Sequence, residues 1–230
     1  MYVDIKFLLE PPNFTKGTML LIQPLAPLSM VNSMPGSYYK TEHVPDKFML
    51  CGLFENILNL HLAEGDRNAI RKKIIKHYMK EYKIDYEAEN SNVGYNPITN
   101  HLFEIESLFV KPDLQFYEDV WTQHLIAGDE RHLKGVINYD WNIEKDMIGL
   151  KIRNNSKEKN QYFTDNKNHF PQYYRSPRNR EFLIAKGYYG LKLNMTLQLF
   201  TVLESAIQNN NIGYLGTSEG WIDVSFGETK

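Results

Sequence analysis

The stretch IGYLGTSEGWIDVSF, residues Ile212–Phe226, places three glycines in front of an alternating apolar run. Gly213, Gly216 and Gly220 punctuate the turn, and Trp221–Phe226 alternates as a half-buried strand does. A helix is predicted just before it, so the chain must reverse sharply to return a strand to a sheet. Glycine permits the positive φ values of such a reversal and leaves backbone N–H groups exposed. Exposed N–H groups can also hold a phosphate, but this glycine spacing favours a plain turn.

The first helix is predicted to begin after its cap, Asp46, and to run to about Ala63, with Gly65 just past its end. Gly52 inside this helix costs roughly 1 kcal/mol relative to alanine. A close approach between the helix and a strand would offset that cost. Cys51 on the same helix is interpreted as a packed core thiol, because no general base is evident beside it.

Two more helices are predicted from amphipathic spacing. The second is predicted to be capped by Asp66 and carries an apolar stripe consisting of Ile70, Ile74, Tyr78 and Tyr82. Its cations fall largely on other faces and comprise Arg67, Arg71, Lys72, Lys73, Lys76 and Lys80. The third is capped by Thr196, and its stripe consists of Leu199, Val202, Leu203, Ala206 and Ile207.

Strands are predicted on both sides of these helices. Thr18 to Leu25 and His101 to Lys111 are apolar runs of strand length, and a strand pair is predicted around Gly187. Residues 32–46 are rich in turn formers and predict a loop or irregular hairpin. Residues 118–126 are interpreted as a short helix, and residues 135–141 and 147–153 as two short strands.

The order of these elements predicts the fold class. A strand and a helix come first, strands fill the middle, and a helix and a strand follow, which fits an α+β, ferredoxin-like arrangement of the split βαβ type. We expect one domain over residues 1–230, with an irregular insertion at about 100–180.

Composition excludes several classes of protein. One cysteine in 230 residues rules out an internal disulfide framework and a cysteine-based metal cluster. No run of about 18 apolar residues exists, so no membrane span is expected, and the first residues lack the apolar stretch of a signal peptide. The histidines lack a metal-ligand rhythm, and no metal or cofactor is predicted. A cytoplasmic location is the simplest interpretation.

Charge is segregated along the chain, although the net charge is only −2. Residues 67–83 hold seven Lys or Arg and one Glu, and residues 151–180 hold eight Lys or Arg, one Glu and one Asp. Local basic surfaces of this kind can attract a polyanion, although solvated helix faces show the same pattern.

Residues 154–177 lose regular apolar spacing and mix cations with five aromatic side chains. Cations can meet phosphates while bases stack on rings, at about 1–3 kcal/mol per base. A surface loop without a partner has the same composition. The aromatic residues are Tyr162, Phe163, Phe170, Tyr173 and Tyr174.

Two stretches carry a family resemblance. PGSYYKTEHVPDKFMLCGLFENILNLHL, with its internal Gly52-Leu53, resembles the N-terminal signature of the fifth family of CRISPR-associated proteins. GYLGTSEGWIDVSF is similar to the C-terminal motif of that family, and SPRNREFLIAKGYYGLKL is a third, looser block. The C-terminal motif is carried by Tyr214, Leu215, Gly216, Ser218 and Glu219.

The resemblance implies a RAMP protein, with an RRM-related ferredoxin-like fold and a thumb-like insertion. Members of that family cap the 5′ handle of the CRISPR RNA (crRNA) in type I Cascade surveillance complexes, in antiviral defence. They contact the backbone subunit and the large subunit, and target DNA within the complex is a further candidate partner. In one subtype a member also cuts precursor RNA.

The resulting hypothesis is a non-catalytic RNA-binding subunit. We expect Tyr38, Tyr39, Lys40 and His43 to contact the RNA handle and Arg175, Arg178 and Arg180 to bind phosphate, with no catalytic residue and no metal ligand. One alternative is a metal-independent endoribonuclease that processes precursor crRNA, which cleavage in EDTA would reveal. A second is a protein-interaction module without an RNA role, whose basic helix docks an acidic partner.

Overall fold

The computed structural model describes residues 4–32, 38–86, 88–91, 95–126 and 173–227, together with Lys157, Gln161 and Asp165. At residues 121–126 and 173–178 the backbone alone is described. The strands predicted at 135–141 and 147–153 and most of the 154–177 segment lie outside these ranges. No helix within them is long and apolar enough to cross a membrane.

The chain divides into two compact units, Met1–Asp119 with Arg180–Lys230, and Val120–Asn179. The described ranges contain eight strands in two sheets. One sheet has the order β3-β6-β1-β8-β7, with every pairing antiparallel, and the other has the order β2-β5-β4. The strands are β1 (Lys16–Pro24), β2 (Tyr38–Tyr39), β3 (Phe103–Val110), β4 (Asp113–Ile126), β5 (Tyr173–Lys186), β6 (Tyr189–Met195), β7 (Ile212–Tyr214) and β8 (Trp221–Gly227).

Strand β1 lies at the centre of the five-stranded sheet because every second side chain is apolar or small enough to bury. Thr18, Leu20 and Ile22 are buried, and the intervening residues are more exposed. Leu20 lies opposite Leu191 of β6, and Ile22 lies opposite Val224 of β8. This alternation places one face of the sheet in the core, as the sequence predicted for the first strand.

Three α-helices accompany the sheets in the described ranges: α1 (Lys47–Ile57), α2 (Glu64–His77) and α3 (Leu197–Asn209). The caps predicted for α1 and α3 are confirmed. The Asp46 side chain accepts a hydrogen bond from the Met49 N–H at 2.8 Å, and the Thr196 hydroxyl accepts one from the Leu199 N–H at 3.3 Å.

The predicted boundary between the first two helices is wrong. Helix α1 ends at Ile57, because Asn59 adopts a left-handed conformation with φ of 57°. The Leu60 N–H then donates to the Glu55 carbonyl and the Asn59 N–H to the Asn56 carbonyl, which is the Schellman arrangement.

The next helix starts earlier than predicted, at Glu64, so Gly65 lies inside it rather than between the helices. Ala63 occupies the cap position without a side-chain hydrogen bond, and Asp66 lies in the first turn instead of capping. An acidic residue in the first turn still interacts favourably with the helix dipole.

Two arginines of the basic helix are exceptions to the prediction that its cations fall largely on faces other than the apolar stripe. Arg71 is buried and donates to the Asn90 side chain at 2.7 Å and to the Glu89 carbonyl at 2.9 Å. Arg67 is mostly buried and pairs with Glu55 of α1. The exposed cations of this segment are Lys72, Lys73, Lys76, Lys80 and Lys83.

Glu55 links three segments from its buried position on α1. Its carboxylate accepts hydrogen bonds from the Ile98 N–H at 2.8 Å and from the Thr99 hydroxyl at 3.2 Å, and it forms the ion pair with Arg67 of α2. The Arg67 guanidinium also lies over the Tyr95 ring, 5.2 Å from its centroid. A buried carboxylate with this many partners is compensated for its lost hydration.

Residues 118–126 are strand and not helix, so the short helix predicted there is wrong. They continue β4, which pairs with β5. Val120, Trp121, Thr122 and Ile126 all favour strands, and pairing with a distant strand outweighs the helical pattern. Two strands do flank Gly187, but they lie in different sheets.

The three glycines in and after β7 are required for two different reasons, backbone conformation and lack of space. Gly216 has φ of +80°, and a β-carbon there would collide with the Ser29 carbonyl oxygen. Gly213 and Gly220 do not need a positive φ. A β-carbon at Gly213 would lie 2.9 Å from the Leu53 side chain of α1, and one at Gly220 would meet the Leu215 carbonyl oxygen. The turn predicted from the sequence is present, and its glycines let it pack closely against Ser29, Leu53 and Leu215.

The Gly216→Ala variant should lose more than about 2 kcal/mol of unfolding free energy. Alanine disfavours the positive φ at this position, and its β-carbon would collide with the Ser29 carbonyl oxygen. Gly65→Ala is the matched control, since a β-carbon at Gly65 meets no described atom within 4 Å. The control should gain up to about 1 kcal/mol from helix propensity. Urea denaturation measures both, and equal stabilities of Gly216→Ala and wild type would contradict the assignment.

His101 is a buried neutral histidine that packs against Tyr78, at the end of α2, and against Tyr86. Its Nε2 donates to the Leu8 carbonyl at 3.0 Å, and its ring packs edge-on against Tyr78, with centroids 5.3 Å apart. Burial lowers the pKa of His101 from 6.5 to about 4, although the bond to Leu8 opposes this shift. Protonation of His101 therefore opposes folding.

The unfolded chain binds a proton at His101 below pH 6.5 that the folded chain does not bind until about pH 4. The contribution of His101 to stability should be fully present above pH 6.5 and should fall by up to about 3 kcal/mol as the pH drops to 4. His101→Gln retains an N–H donor and should flatten this part of the stability curve. His61→Gln is the control at an exposed histidine, and equal slopes for all three proteins would exclude the effect.

Candidate nucleic-acid interface

The segment predicted to contact RNA is held in place by its buried residue, Thr41. The Thr41 hydroxyl accepts a hydrogen bond from the Met30 N–H at 2.8 Å. The backbone N–H of Thr41 donates a hydrogen bond to the Glu181 carboxylate at 3.0 Å. The Tyr189 hydroxyl donates to the His43 carbonyl at 3.2 Å, and its pKa is raised by burial to about 12. These bonds fix the backbone of the loop, so its outward side chains have defined positions.

Tyr38 lies at the edge of the three-stranded sheet with part of its ring exposed. Its hydroxyl donates to the Glu118 carboxylate at 3.0 Å. Desolvation, this hydrogen bond and the charge of Glu181 raise the pKa of Tyr38. A tyrosine with a raised pKa stays protonated and is suited to stacking or hydrogen bonding rather than to acting as a base near neutral pH.

Tyr39 and Arg180 form a stacked pair. The Arg180 guanidinium lies over the Tyr39 ring, 5.4 Å from its centroid, and Arg180 is only 9% exposed. The predicted role of Arg180 in binding phosphate does not fit this burial. Its position supports Tyr39 through a cation–π contact.

His43 and Phe116 form an exposed aromatic pair. Their ring centroids are 4.7 Å apart, with an interplanar angle of 40°. His43 lies on the loop and Phe116 on β4, three residues after the strand begins, and Phe116 is 42% exposed. Exposed rings held by defined backbone offer faces on which a base can stack.

The charge around these rings is mixed. Lys40 is exposed beside Tyr39, while Glu118 and Asp119 are exposed on β4. Arg175 and Arg178 belong to β5, in its part within the unit Val120–Asn179. Aromatic surface is therefore the dominant feature of the described part of this face.

A separate site holds the residues of the two family-like motifs. One cavity of about 610 Å³ is lined by Gly52 of α1, by Tyr214 at the end of β7, and by Gly216 and Ser218 of the following turn. Leu215 is buried in the core, and Glu219 is exposed beside the turn. The predicted close approach between Gly52 and a strand is wrong, because a β-carbon at Gly52 would meet no described atom within 4 Å.

Phe116 and Glu118 are functional candidates that only the structure reveals, because the sequence predicts a helix at 118–126 and no element at 112–117. Residues 116–120 do not alternate between apolar and polar side chains, so no local signal marks them as strand residues. Tyr117 stacks on Phe182 of β5 with centroids 5.4 Å apart, so aromatic pairs lie between these strands as well.

Comparison with known proteins identifies the family. The family described as CRISPR-associated protein Cas5p matches residues 3–226, nearly the whole chain. The chain belongs to the Cas5p family. The resemblance seen in its two end motifs is thereby confirmed, and the match also covers the middle of this Cas5p chain, where the sequence alone showed no family resemblance. No curated protein sequence gives a significant match.

Two solved structures are similar to this Cas5p chain. One is the cryo-EM structure of the Type III-B Cmr-beta bound to cognate target RNA and AMPPnP, state 1, at 15% identity and a TM-score of 0.37. The other is the Type III-B Cmr-beta bound to cognate target RNA, at 13% identity and a TM-score of 0.32. Each alignment covers 92% of this chain and 64% of the matched chain.

Proposed function

We propose that this Cas5p-family protein is a non-catalytic, crRNA-binding subunit of a type I Cascade complex that caps the 5′ handle of crRNA in antiviral defence. Its partners in this proposal are the crRNA handle, the backbone subunit and the large subunit, with target DNA as a further contact. The observation that carries the proposal is the exposed His43–Phe116 pair beside Tyr38, in a chain of this family.

The ferredoxin-like RAMP fold is part of the proposal. Taken in chain order, strands β1, β3, β6 and β8 occupy the sheet order β3-β6-β1-β8. Helices α1 and α2 lie between β1 and β3 in the chain, and α3 lies between β6 and β8. This connectivity supports a split βαβ arrangement. The compact unit Val120–Asn179 supports a thumb-like insertion within it.

The proposed RNA surface differs from the sequence prediction in two residues: it includes Phe116, and it gives Arg180 a supporting role. Bases stack on Tyr38, His43 and Phe116, Lys40 supplies charge beside them, and Arg175 and Arg178 bind phosphates. Arg180 holds the Tyr39 ring in place rather than meeting phosphate directly. The Glu118 carboxylate, which accepts the hydrogen bond of Tyr38, repels a phosphate at that point. The RNA therefore places a base, and not its phosphate backbone, against Glu118.

The Phe116→Ala variant should weaken binding of an RNA oligonucleotide that carries the repeat-derived 5′ end of the crRNA. Loss of one stacking face costs about 1–3 kcal/mol, or roughly 5- to 150-fold in Kd. The salt dependence should not change, because no charge is removed. Met79→Ala removes an exposed apolar side chain of similar exposure, 47% against 42%, and should leave Kd unchanged. Fluorescence anisotropy at several salt concentrations measures these values.

The Arg175→Ala/Arg178→Ala variant should reduce the slope of log Kd against log salt by about 1.4, because each phosphate contact on a single strand contributes about 0.7. Lys72→Ala/Lys73→Ala removes two exposed cations of α2 and is the charge-matched control. If both double variants change the slope equally, RNA is held by diffuse charge and the assigned surface is wrong. Unchanged Kd in Phe116→Ala would also refute the stacking surface.

A further inference from the structure

The cavity beside the family motifs is open and is not lined by residues 38–43 of the aromatic loop. It lies between the second half of α1, the start of α2 and the turn after β7. A second cavity of about 360 Å³ shares Gly52, Tyr95 and Gly216 with it, so the two form one cleft. The larger one is lined by Met49, Gly52, Leu53, Glu55, Asn56, Leu60, His61, Leu62, Ala63, Arg67, Tyr95, Tyr214, Gly216, Thr217 and Ser218.

Gly52 lies in the wall of both cavities, and packing does not require glycine there. A β-carbon at Gly52 would meet no described atom within 4 Å and would point into open space. Glycine in the middle of a helix costs about 1 kcal/mol relative to alanine. A costly glycine that leaves a cleft empty is explained when another molecule fills that space.

One hydroxyl group in the wall of the cleft lacks a hydrogen-bond partner among the described residues. The Thr217 hydroxyl is buried, and no described residue hydrogen-bonds to it. Buried polar groups are normally paired, so this hydroxyl fits an occupant that offers a hydrogen-bonding group. The Tyr95 hydroxyl, by contrast, lies beside the Glu55 carboxylate, and burial together with that carboxylate raises its pKa.

The charges of the cleft disfavour a nucleic acid. Its charged lining residues are Asp46, Glu55 and Arg67, and Arg67 is already paired with Glu55. No lysine lines either cavity as described, so a phosphate backbone would find no available cation there. The net charge of the lining is therefore −1 with histidine neutral, which complements a neutral or basic segment.

Apolar surface continues beyond the mouth of the cleft. Tyr214 in its wall packs edge-on against Trp221, with centroids 4.5 Å apart, and Trp221 is 45% exposed. The Leu25 N–H donates to the Trp221 carbonyl, and Leu25 is 55% exposed. An occupant longer than a small molecule can cover both the cleft and this patch, as a peptide segment does.

We propose that this cleft is a docking site for an extended segment of a partner protein. The segment inserts an apolar side chain over Gly52 and hydrogen-bonds through its backbone to the Thr217 hydroxyl. Its flanking residues are neutral or basic, in keeping with Asp46. The site is distinct from the RNA surface around His43 and Phe116, and it stands whether or not that surface binds RNA.

A library of random peptides displayed on phage tests the proposal with the full-length chain as bait. Peptides that bind wild type should share an apolar anchor with neutral or basic flanks. A synthetic peptide of that consensus should bind Gly52→Leu at least tenfold more weakly, because the leucine side chain occupies the cleft. Gly65→Leu is the matched control, since Gly65 lies in α2 with open space around it but does not line the cleft.

Thr217→Val keeps the shape of the side chain and removes its hydroxyl, and it should weaken the same peptide several-fold even if Gly52→Leu were to misfold. RNA affinity should be the same in Gly52→Leu and wild type. The proposal is overturned if no selected peptide depends on Gly52 or Thr217. It is also overturned if Gly52→Leu weakens RNA binding while peptides are unaffected, since the cleft would then hold RNA.

Discussion

The buried carboxylate of Glu55 is the interaction on which the arrangement of the helices depends. It joins α1 to α2 through Arg67, and it joins both to the segment before β3 through the Ile98 N–H and the Thr99 hydroxyl. Loss of one partner of such a buried pair typically costs 3–5 kcal/mol, because the other charge is left without compensation. The same ion pair occupies Arg67, which lines the cleft, and no other Lys or Arg is among the described lining residues. The chemistry of the cleft therefore differs from that of an RNA groove.

Several arginines that the sequence suggests for binding RNA instead form contacts inside the protein. Arg67 pairs with Glu55, Arg71 donates to residues 89 and 90, and Arg180 stacks on Tyr39. Guanidinium groups suit these roles because they remain charged when buried and can donate several hydrogen bonds in one plane. The surface left around the 38–43 loop is consequently more aromatic than cationic, and affinity there would depend on stacking more than on counterion release.

The two family motifs use glycine for opposite reasons. Gly216 is required by its backbone, since a left-handed conformation and the Ser29 carbonyl leave no room for a side chain. Gly52 has room for a side chain and lacks one, so it shapes a cleft rather than a contact. The motifs meet at this cleft although they are more than 150 residues apart, which links family membership to one location on the molecule.

The sequence by itself determined the central strands, the caps at Asp46 and Thr196, the burial of Cys51 and the family. These features rest on alternation, helical spacing and caps, which act over a few residues. Tertiary structure alone decided that β4 is a strand, that Arg180 is buried, and that Phe116 reaches His43. Strand pairing and burial join residues that are far apart in the chain, such as His43 and Phe116 or Tyr117 and Phe182, and a local sequence pattern carries no information about such partners.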